Sequence, residues 1–243
     1  MMLLRLTTTP VTGSNLYIMT DNNLTIRFTP DGFSFADEDV IEIAPGQDFI
    51  QRMEEALLEH VQPGHQTTLQ CEIETTRLLL VPSDIEEEQT IREMFSVTLS
   101  PASHEEELLT QVITLPRTGQ TLKLCFAIDR NLYNFLIRNY GELSFSHPIA
   151  SMLADADRMT QGNCLVVRST KQFLEVALFR GDRLMLCNCY QTSQADTRSY
   201  YVMNTWLQQE LDQLQDYLLV LGQGNEGLQI RASLHRFIKH VFS

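Results

Sequence analysis

Apolar and polar residues alternate in two short runs near the start of the chain, at 24–28 and 33–36. Between them lies Thr29-Pro30-Asp31-Gly32, and an Asp-Gly pair between alternating runs is a strong signal for a β-hairpin. A third short run, 40–44, follows an acidic turn. The pattern predicts three consecutive strands joined as a meander.

Helical spacing replaces this alternation over 48–60. Apolar side chains recur there on one stripe, at Phe49, Met53 and Leu57, which predicts a helix. Strands are predicted next, at 67–74 and 77–81.

A second helix is indicated by its start. Ser83 and Glu86 form a capping-box pattern, in which the two side chains satisfy backbone N–H groups of the first turn. The pattern predicts a helix over 84–95.

The rest of the chain follows the same two periods. The predicted strands are 108–115, 121–128, 143–145, 164–168, 173–179, 183–190 and 217–221, and the predicted helices are 129–139, 148–158, 193–211 and the C-terminal segment 228–242.

One order of elements is predicted twice: three strands, a helix, a strand and a helix. With an offset of 141 positions, Arg27 meets Arg168 and the neighbouring strands overlap. With an offset of 140, strand 78–81 meets 218–221, although 67–74 competes as the equivalent strand.

We therefore expect an α/β protein made by duplication. The first lobe is predicted over 1–146, including the connection between the lobes, and the second over 147–243.

Charge and cysteine content narrow the function classes. The net charge of −13 opposes binding to nucleic acid or anionic lipid, because that binding depends on clustered Lys and Arg. Five scattered cysteines do not suggest a disulfide framework, and Cys187 and Cys189 are interpreted as buried strand thiols rather than half of a zinc site.

The apolar run at the first residues is too short for a signal-peptide core, and no apolar run approaches the roughly 20 residues of a membrane helix. We expect a cytoplasmic protein.

The order of elements resembles that of the actin-like ATPases, whose two lobes each have an RNase-H-like core. Residues 122–154 are similar to the segment between the lobes of the pilus-assembly and cell-division members. Four shorter stretches resemble an uncharacterised bacterial family of this fold, a domain of unknown function: RLLLVP at 77–82, NCY at 188–190, SYYVMN at 199–204 and LLVLG at 218–222. The resemblance implies duplicated RNase-H-like lobes, with mixed sheets flanked by helices.

The phosphate-site acids of that class are missing. Its active members carry an Asp at the end of the first strand of each lobe, because a carboxylate there organises the metal and water around the phosphates. Arg27 and Arg168 stand in these places, and the second turn has no Gly. The arginines could instead hold phosphate directly, and Gly222 and Gly224 follow a strand where the class places adenosine contacts. Ordinary surface turns are the interpretation we favour at both places.

Other candidate groups are given structural interpretations. The acidic runs 37–39, 86–88 and 105–107 are interpreted as solvated faces, and the six histidines show no metal-ligand spacing. Ser146-His147 is interpreted as a helix cap rather than a catalytic dyad. The sequence thus predicts no catalytic, cofactor-binding or metal-binding residue, and no cofactor.

The C-terminal segment combines an apolar stripe with basic residues. Its apolar members are Leu234, Phe237, Ile238, Val241 and Phe242, and its basic members are Arg231, His235, Arg236, Lys239 and His240. Such a helix can lie on a membrane surface. Docking on the protein's own sheet is the interpretation we favour.

These observations favour a non-catalytic actin-like scaffold or protein-binding module with an unidentified protein partner. The alternative is a nucleotide-binding switch without efficient ATP hydrolysis. A third hypothesis is an ATPase whose acids come from elsewhere in the chain, such as Asp31 or Asp129.

Overall fold

A computed structural model describes residues 22–35, 40–60, 67–100, 105–140, 142–222 and 224–243. Within these ranges the chain forms six helices and thirteen strands, in the order that the sequence predicts except for the last strand, which lies in the predicted C-terminal helix. The acidic run 37–39 lies outside the described residues.

The first five-stranded sheet begins with the predicted hairpin. Strands β1 (Asn22–Thr29) and β2 (Gly32–Phe35) pair antiparallel, with Ile26 opposite Phe35. Gly32 is required there because a Cβ atom would collide with the carbonyl oxygen of Ile41. The sheet is completed by β3 (Ile41–Glu42), β4 (Thr67–Ile73) and β8 (Glu142–Ser146), in the order β3-β2-β1-β4-β8.

The second five-stranded sheet repeats this arrangement. It consists of β9 (Asn163–Ser169), β10 (Phe173–Arg180), β11 (Arg183–Gln191), β12 (Tyr217–Leu221) and β13 (His240–Phe242), in the order β11-β10-β9-β12-β13. Val167 pairs with Val176, as Ile26 pairs with Phe35, so the offset of 141 positions is confirmed by the strand register. The boundary between the lobes at residue 146 stays a prediction.

A third, three-stranded sheet separates β4 from β8 along the chain. It consists of β5 (Leu78–Pro82), β6 (Glu106–Thr114) and β7 (Thr121–Asp129), in the order β5-β7-β6. The match of 78–81 with 218–221 is therefore wrong. The competing strand is the true equivalent, because β4 pairs with β1 in parallel as β12 pairs with β9.

Helices cover these sheets on their apolar faces. They are α1 (Phe49–His60), α2 (Glu88–Leu99), α3 (Arg130–Asn139), α4 (Ile149–Met159), α5 (Ala195–Gln208) and α6 (Asn225–Leu234). Trp206 of α5 and Ile230 of α6 pack on one face of the second sheet, against Val167 and Leu174. The other face of that sheet joins a larger core that is continuous with the first sheet and the three-stranded sheet.

The predicted capping box does not form. Helix α2 begins at Glu88 rather than Asp84, and Glu87 stands at its N-cap without a side-chain capping bond. Ile85 N donates to Pro82 O, so Ser83 and Asp84 lie in a turn. Lys123 Nζ donates to Ile85 O at 2.6 Å, and this bond occupies a carbonyl that a longer helix would need.

The predicted C-terminal amphipathic helix is also wrong. Helix α6 ends at Leu234, a turn follows, and residues 240–242 add β13 in parallel to the edge of β12. Leu234 and Ile238 are buried in the core of the second sheet. The apolar stripe is thus divided between a helix, a turn and a strand, and it does not form one membrane-binding face.

Candidate functional site

Arg27 lies near the carboxyl end of β1, directly opposite Glu72 of β4 in the parallel register. Its Nε and Nη2 atoms donate to Glu72 Oε2 at 2.9 and 2.8 Å. The guanidinium group that replaces the expected acid is therefore engaged by a carboxylate of its own sheet.

Arg168, at the end of β9, is also paired with a carboxylate of its own sheet, but on the antiparallel rather than the parallel neighbouring strand. It lies opposite Glu175 of β10, and its Nε donates to Glu175 Oε2 at 2.5 Å. The same guanidinium donates to Ser151 Oγ at 3.1 Å and to Pro148 O at 2.6 Å, both at the start of α4. Burial raises the pKa of the Glu175 carboxyl, and Arg168 opposes this shift.

Glu74 connects the two halves of this charged cluster. It follows β4, is 5% exposed, and accepts a hydrogen bond from Thr170 Oγ1 at 3.3 Å. Burial raises the pKa of its carboxyl to about 7, and Glu175 adds to the shift, while Arg27 and Arg168 oppose it. The residues that hold the two arginines, Glu72 and Glu175, and the bridging Glu74 were not singled out from the sequence.

His147 lies one residue before Pro148, the N-cap of α4, and its side chain satisfies the first backbone N–H group of that helix, as a capping residue does. Its Nδ1 accepts from Ile149 N at 3.0 Å, so the neutral ring carries its proton on Nε2, which lies 2.9 Å from Thr75 O. Burial lowers the pKa of this ring to about 4. No hydrogen bond joins it to Ser146 within the described part of the chain.

The acidic runs have structural roles where they are described. Residues 86–88 are exposed at the start of α2, and Arg92 pairs with Glu88. Glu106 pairs with Arg77 at 2.7 Å, and Glu107 lies 3.4 Å from Arg130. These acids lie beside arginines rather than around an open metal position, and no group of metal-ligating side chains is found among the described residues.

The remaining candidates are dispersed. Asp31 is exposed in the first hairpin turn, whereas Asp129 accepts from Leu132 N at 2.9 Å and caps α3. Cys189 is buried and Cys187 partly buried, and burial raises the pKa of both thiols. His65 and His104 lie outside the described residues.

Two cavities border the charged cluster, one of them lined by Glu74 and the other by Arg168. The larger, of about 780 Å³, is bounded by the ends of β1 and β4, the start of α1, and the β7–α3 junction. The smaller, of about 380 Å³, is lined by Arg158, Arg168 and Gly222 with three neighbours. Arg168 thus separates the ion-paired interior from the smaller cavity.

Comparison with solved structures assigns the fold to a class. A protein from Bacteroides thetaiotaomicron VPI-5482 with an actin-like ATPase fold and unknown function superposes with a TM-score of 0.72, at 21% identity over 95% of this chain and 93% of that chain. The PilM–PilN type IV pilus biogenesis complex matches with a TM-score of 0.50, at 13% identity over 90% of this chain and 83% of that chain. The chain therefore has the predicted fold of the actin-like ATPases.

Residues 46–241 match the model of a protein family of unknown function, DUF3822. The match covers most of the chain, so the chain belongs to this family. No curated protein matches the sequence. None of the described helices combines the length and apolarity needed to cross a bilayer.

Proposed function

We propose that the chain is a non-catalytic, actin-like protein that binds another protein and has no ATP-hydrolysing site. One observation carries this proposal: the guanidinium groups at the ends of β1 and β9 are paired with Glu72 and Glu175 of their own sheets. An arginine already neutralised by a carboxylate is a weak phosphate ligand, because the phosphate would have to displace its partner.

Two further observations support this proposal. Asp129, a candidate replacement acid, is engaged as the cap of α3. PilM, which shares the fold, is found in a complex with PilN, and this favours a protein partner here. We also infer a cytoplasmic location, because the five cysteines of the described chain are free and thiols stay reduced in the cytoplasm.

Mg-ATP at millimolar concentration is expected to leave the melting temperature unchanged. A ligand present at a hundred times its dissociation constant would stabilise the protein by about 2.7 kcal/mol. For a chain of this size that corresponds to a rise of roughly 5–10 °C. Differential scanning fluorimetry with Mg-ATP, Mg-ADP and magnesium alone measures the effect, and a parallel assay measures phosphate release.

The smaller cavity is the place where the alternative, a nucleotide-binding switch, would bind its ligand, because two of its lining side chains are cationic, although Arg158 is paired with Asp155 and Arg168 with Glu175. Arg158 is 61% exposed there, so Arg158→Gln removes a charge without opening the core. A nucleotide-dependent rise in melting temperature that Arg158→Gln abolishes would replace our proposal with this alternative. Magnesium-dependent phosphate release lost in Asp129→Asn would instead support an ATPase.

Binding to a protein partner is expected to be independent of nucleotide. The tagged chain, used to capture partners from its native cells, should retain the same protein in buffer with EDTA and in buffer with Mg-ATP. Arg158→Gln serves as the matched bait, since it alters the smaller cavity but not the ion-paired interior. Retention that depends on Mg-ATP and is lost with Arg158→Gln would contradict the proposal.

A further inference from the structure

The larger cavity has the size and lining of a small-molecule site. Its volume of about 780 Å³ lies within the range of ligand pockets, roughly 300–1,000 Å³. It is found beyond the carboxyl ends of the parallel strands β1 and β4, where open α/β sheets place their ligands. Phe28, Phe49, Ile50 and Leu132 are among its apolar lining residues.

The charged residues that line this cavity are all acidic. Glu74, Asp48, Glu105, Glu106 and Asp129 line it, and none of its described lining residues is basic. Helices α1 and α3 begin at the wall of this cavity. Their first-turn N–H groups could attract an anion, but side chains of the protein already accept hydrogen bonds from them. Asp48 Oδ1 accepts from Gln51 N in the first turn of α1, and Asp129 Oδ1 accepts from Leu132 N in α3. The lining therefore disfavours phosphate and favours a cation.

Glu74 is distinct among these acids because it is buried. Only 5% of the residue is exposed, and its hydrogen bond in the described structure comes from the uncharged hydroxyl of Thr170. Arg27 and Arg168 lower the pKa of the Glu74 carboxyl electrostatically, but each forms its close ion pair with another carboxylate. A buried carboxylate without a close countercharge costs stability, and a cation in the cavity would remove that cost.

We propose that this cavity binds a primary alkylammonium group, with the charged nitrogen against Glu74 and the aliphatic stem along Phe49, Ile50 and Leu132. No group of metal-ligating side chains converges among the described residues, which disfavours a metal ion. An alkylammonium group carries both a charge and an apolar surface, as this lining requires. The group can come from a free aliphatic amine or from the lysine side chain of another protein.

Binding of cadaverine and of Nα-acetyl-lysine methylamide, measured by isothermal titration calorimetry, tests this proposal and distinguishes the two sources. The wild-type chain is expected to bind at least one probe, and Glu74→Gln should weaken that binding by about tenfold or more, since charge-assisted hydrogen bonds are the strong ones. The matched control is Glu86→Gln, which removes the same charge from an exposed position outside the cavity. The affinity of Glu86→Gln for the probe should stay within about twofold of the wild-type affinity.

The pH dependence gives a second readout. The carboxylate form of Glu74 binds the ammonium ion, so affinity should rise between pH 6 and pH 8, and calorimetry in buffers of different ionisation enthalpy should show proton release. Three other charged groups affect the ionisation of Glu74: Arg27 of β1, Arg168 of β9 and Glu175 of β10.

Equal binding by wild type, Glu74→Gln and Glu86→Gln would mean nonspecific attraction to an acidic protein and would overturn the proposal. Failure of both probes to bind would also overturn it, while the nucleotide experiments above would be unaffected.

Discussion

Asp157→Ala is expected to lower the free energy of unfolding by about 3–5 kcal/mol. The Asp157 carboxylate in α4 is fully buried. Its Oδ2 accepts from the backbone N–H groups of Arg117, at 2.5 Å, and Thr118, at 3.2 Å. Arg117 also donates from Nε to Asp157 O at 2.7 Å. Truncation removes two charge-assisted hydrogen bonds and leaves their donors unsatisfied.

The loss should be large because the turn that this carboxylate holds on α4 also contacts a third element. The β6–β7 turn is held on α4 by Asp157, and Arg117 of that turn pairs with Asp182 in the β10–β11 turn. Gln120 Oε1 adds a bond from Leu184 N at 3.3 Å. Asp157 therefore fixes the three-stranded sheet against the second five-stranded sheet.

Urea unfolding followed by circular dichroism measures the effect. Asp155→Ala is the matched control, because Asp155 is an exposed acid on the same helix whose pairing with Arg158 is worth at most about 0.5 kcal/mol. If Asp157→Ala and Asp155→Ala had the same free energy of unfolding, the contacts of Asp157 with Arg117 would contribute nothing to stability, contrary to our expectation.

The hairpins, most of the strand bounds and the duplication could be predicted from local patterns. Alternation on both sides of a short turn fixes the register of a hairpin, with or without an Asp-Gly pair, which is why the overlay of Ile26 with Val167 matches the observed pairing. The pairing of Arg168 with Glu175 could have been predicted from the same alternation, since the two residues lie on adjacent strands of one hairpin.

The partners of the first half of the site could not be found in this way. Arg27 and Glu72 lie 45 positions apart on parallel strands, and parallel register is set by long-range packing rather than by a turn. The position of Glu74 between the two sheets depends on Thr170, 96 positions away. These contacts exist only after both halves have folded together.

The two wrong element predictions have a related cause. The Ser83–Glu86 pattern is locally sound, but Lys123 of β7 holds the Ile85 carbonyl outside the helix. The C-terminal stripe is compatible with a helix, but the edge of β12 pairs with residues 240–242. In both places a tertiary contact outweighs a local preference of about 1 kcal/mol.

Glu74→Gln is expected to stabilise the protein by about 3–4 kcal/mol at pH 8 and to have little effect at pH 5. Burial and the neighbouring Glu175 raise the pKa of the Glu74 carboxyl from 4.5 to about 7. The folded protein therefore binds more protons than the unfolded chain between about pH 4.5 and pH 7. Wild-type stability should fall as the pH rises through this window, because ionisation is penalised only in the folded state.

Glutamine is uncharged at every pH and keeps an oxygen that can accept from Thr170 Oγ1. The magnitude follows from a shift of two to three pKa units at about 1.4 kcal/mol each. Removing the Glu74 charge also makes ionisation of the buried Glu175 easier, which acts in the same direction. Arg27 and Arg168 keep their partners Glu72 and Glu175 in the variant.

Urea unfolding at half-unit intervals from pH 5 to pH 8 gives the difference between wild type and Glu74→Gln directly. Glu86→Gln should follow the wild-type curve within about 0.5 kcal/mol, since Glu86 is exposed. If Glu74→Gln destabilises the protein at pH 8, the carboxylate is stabilised by Arg27 and Arg168 despite their other partners. The cavity would then have no uncompensated charge for an alkylammonium ion to neutralise.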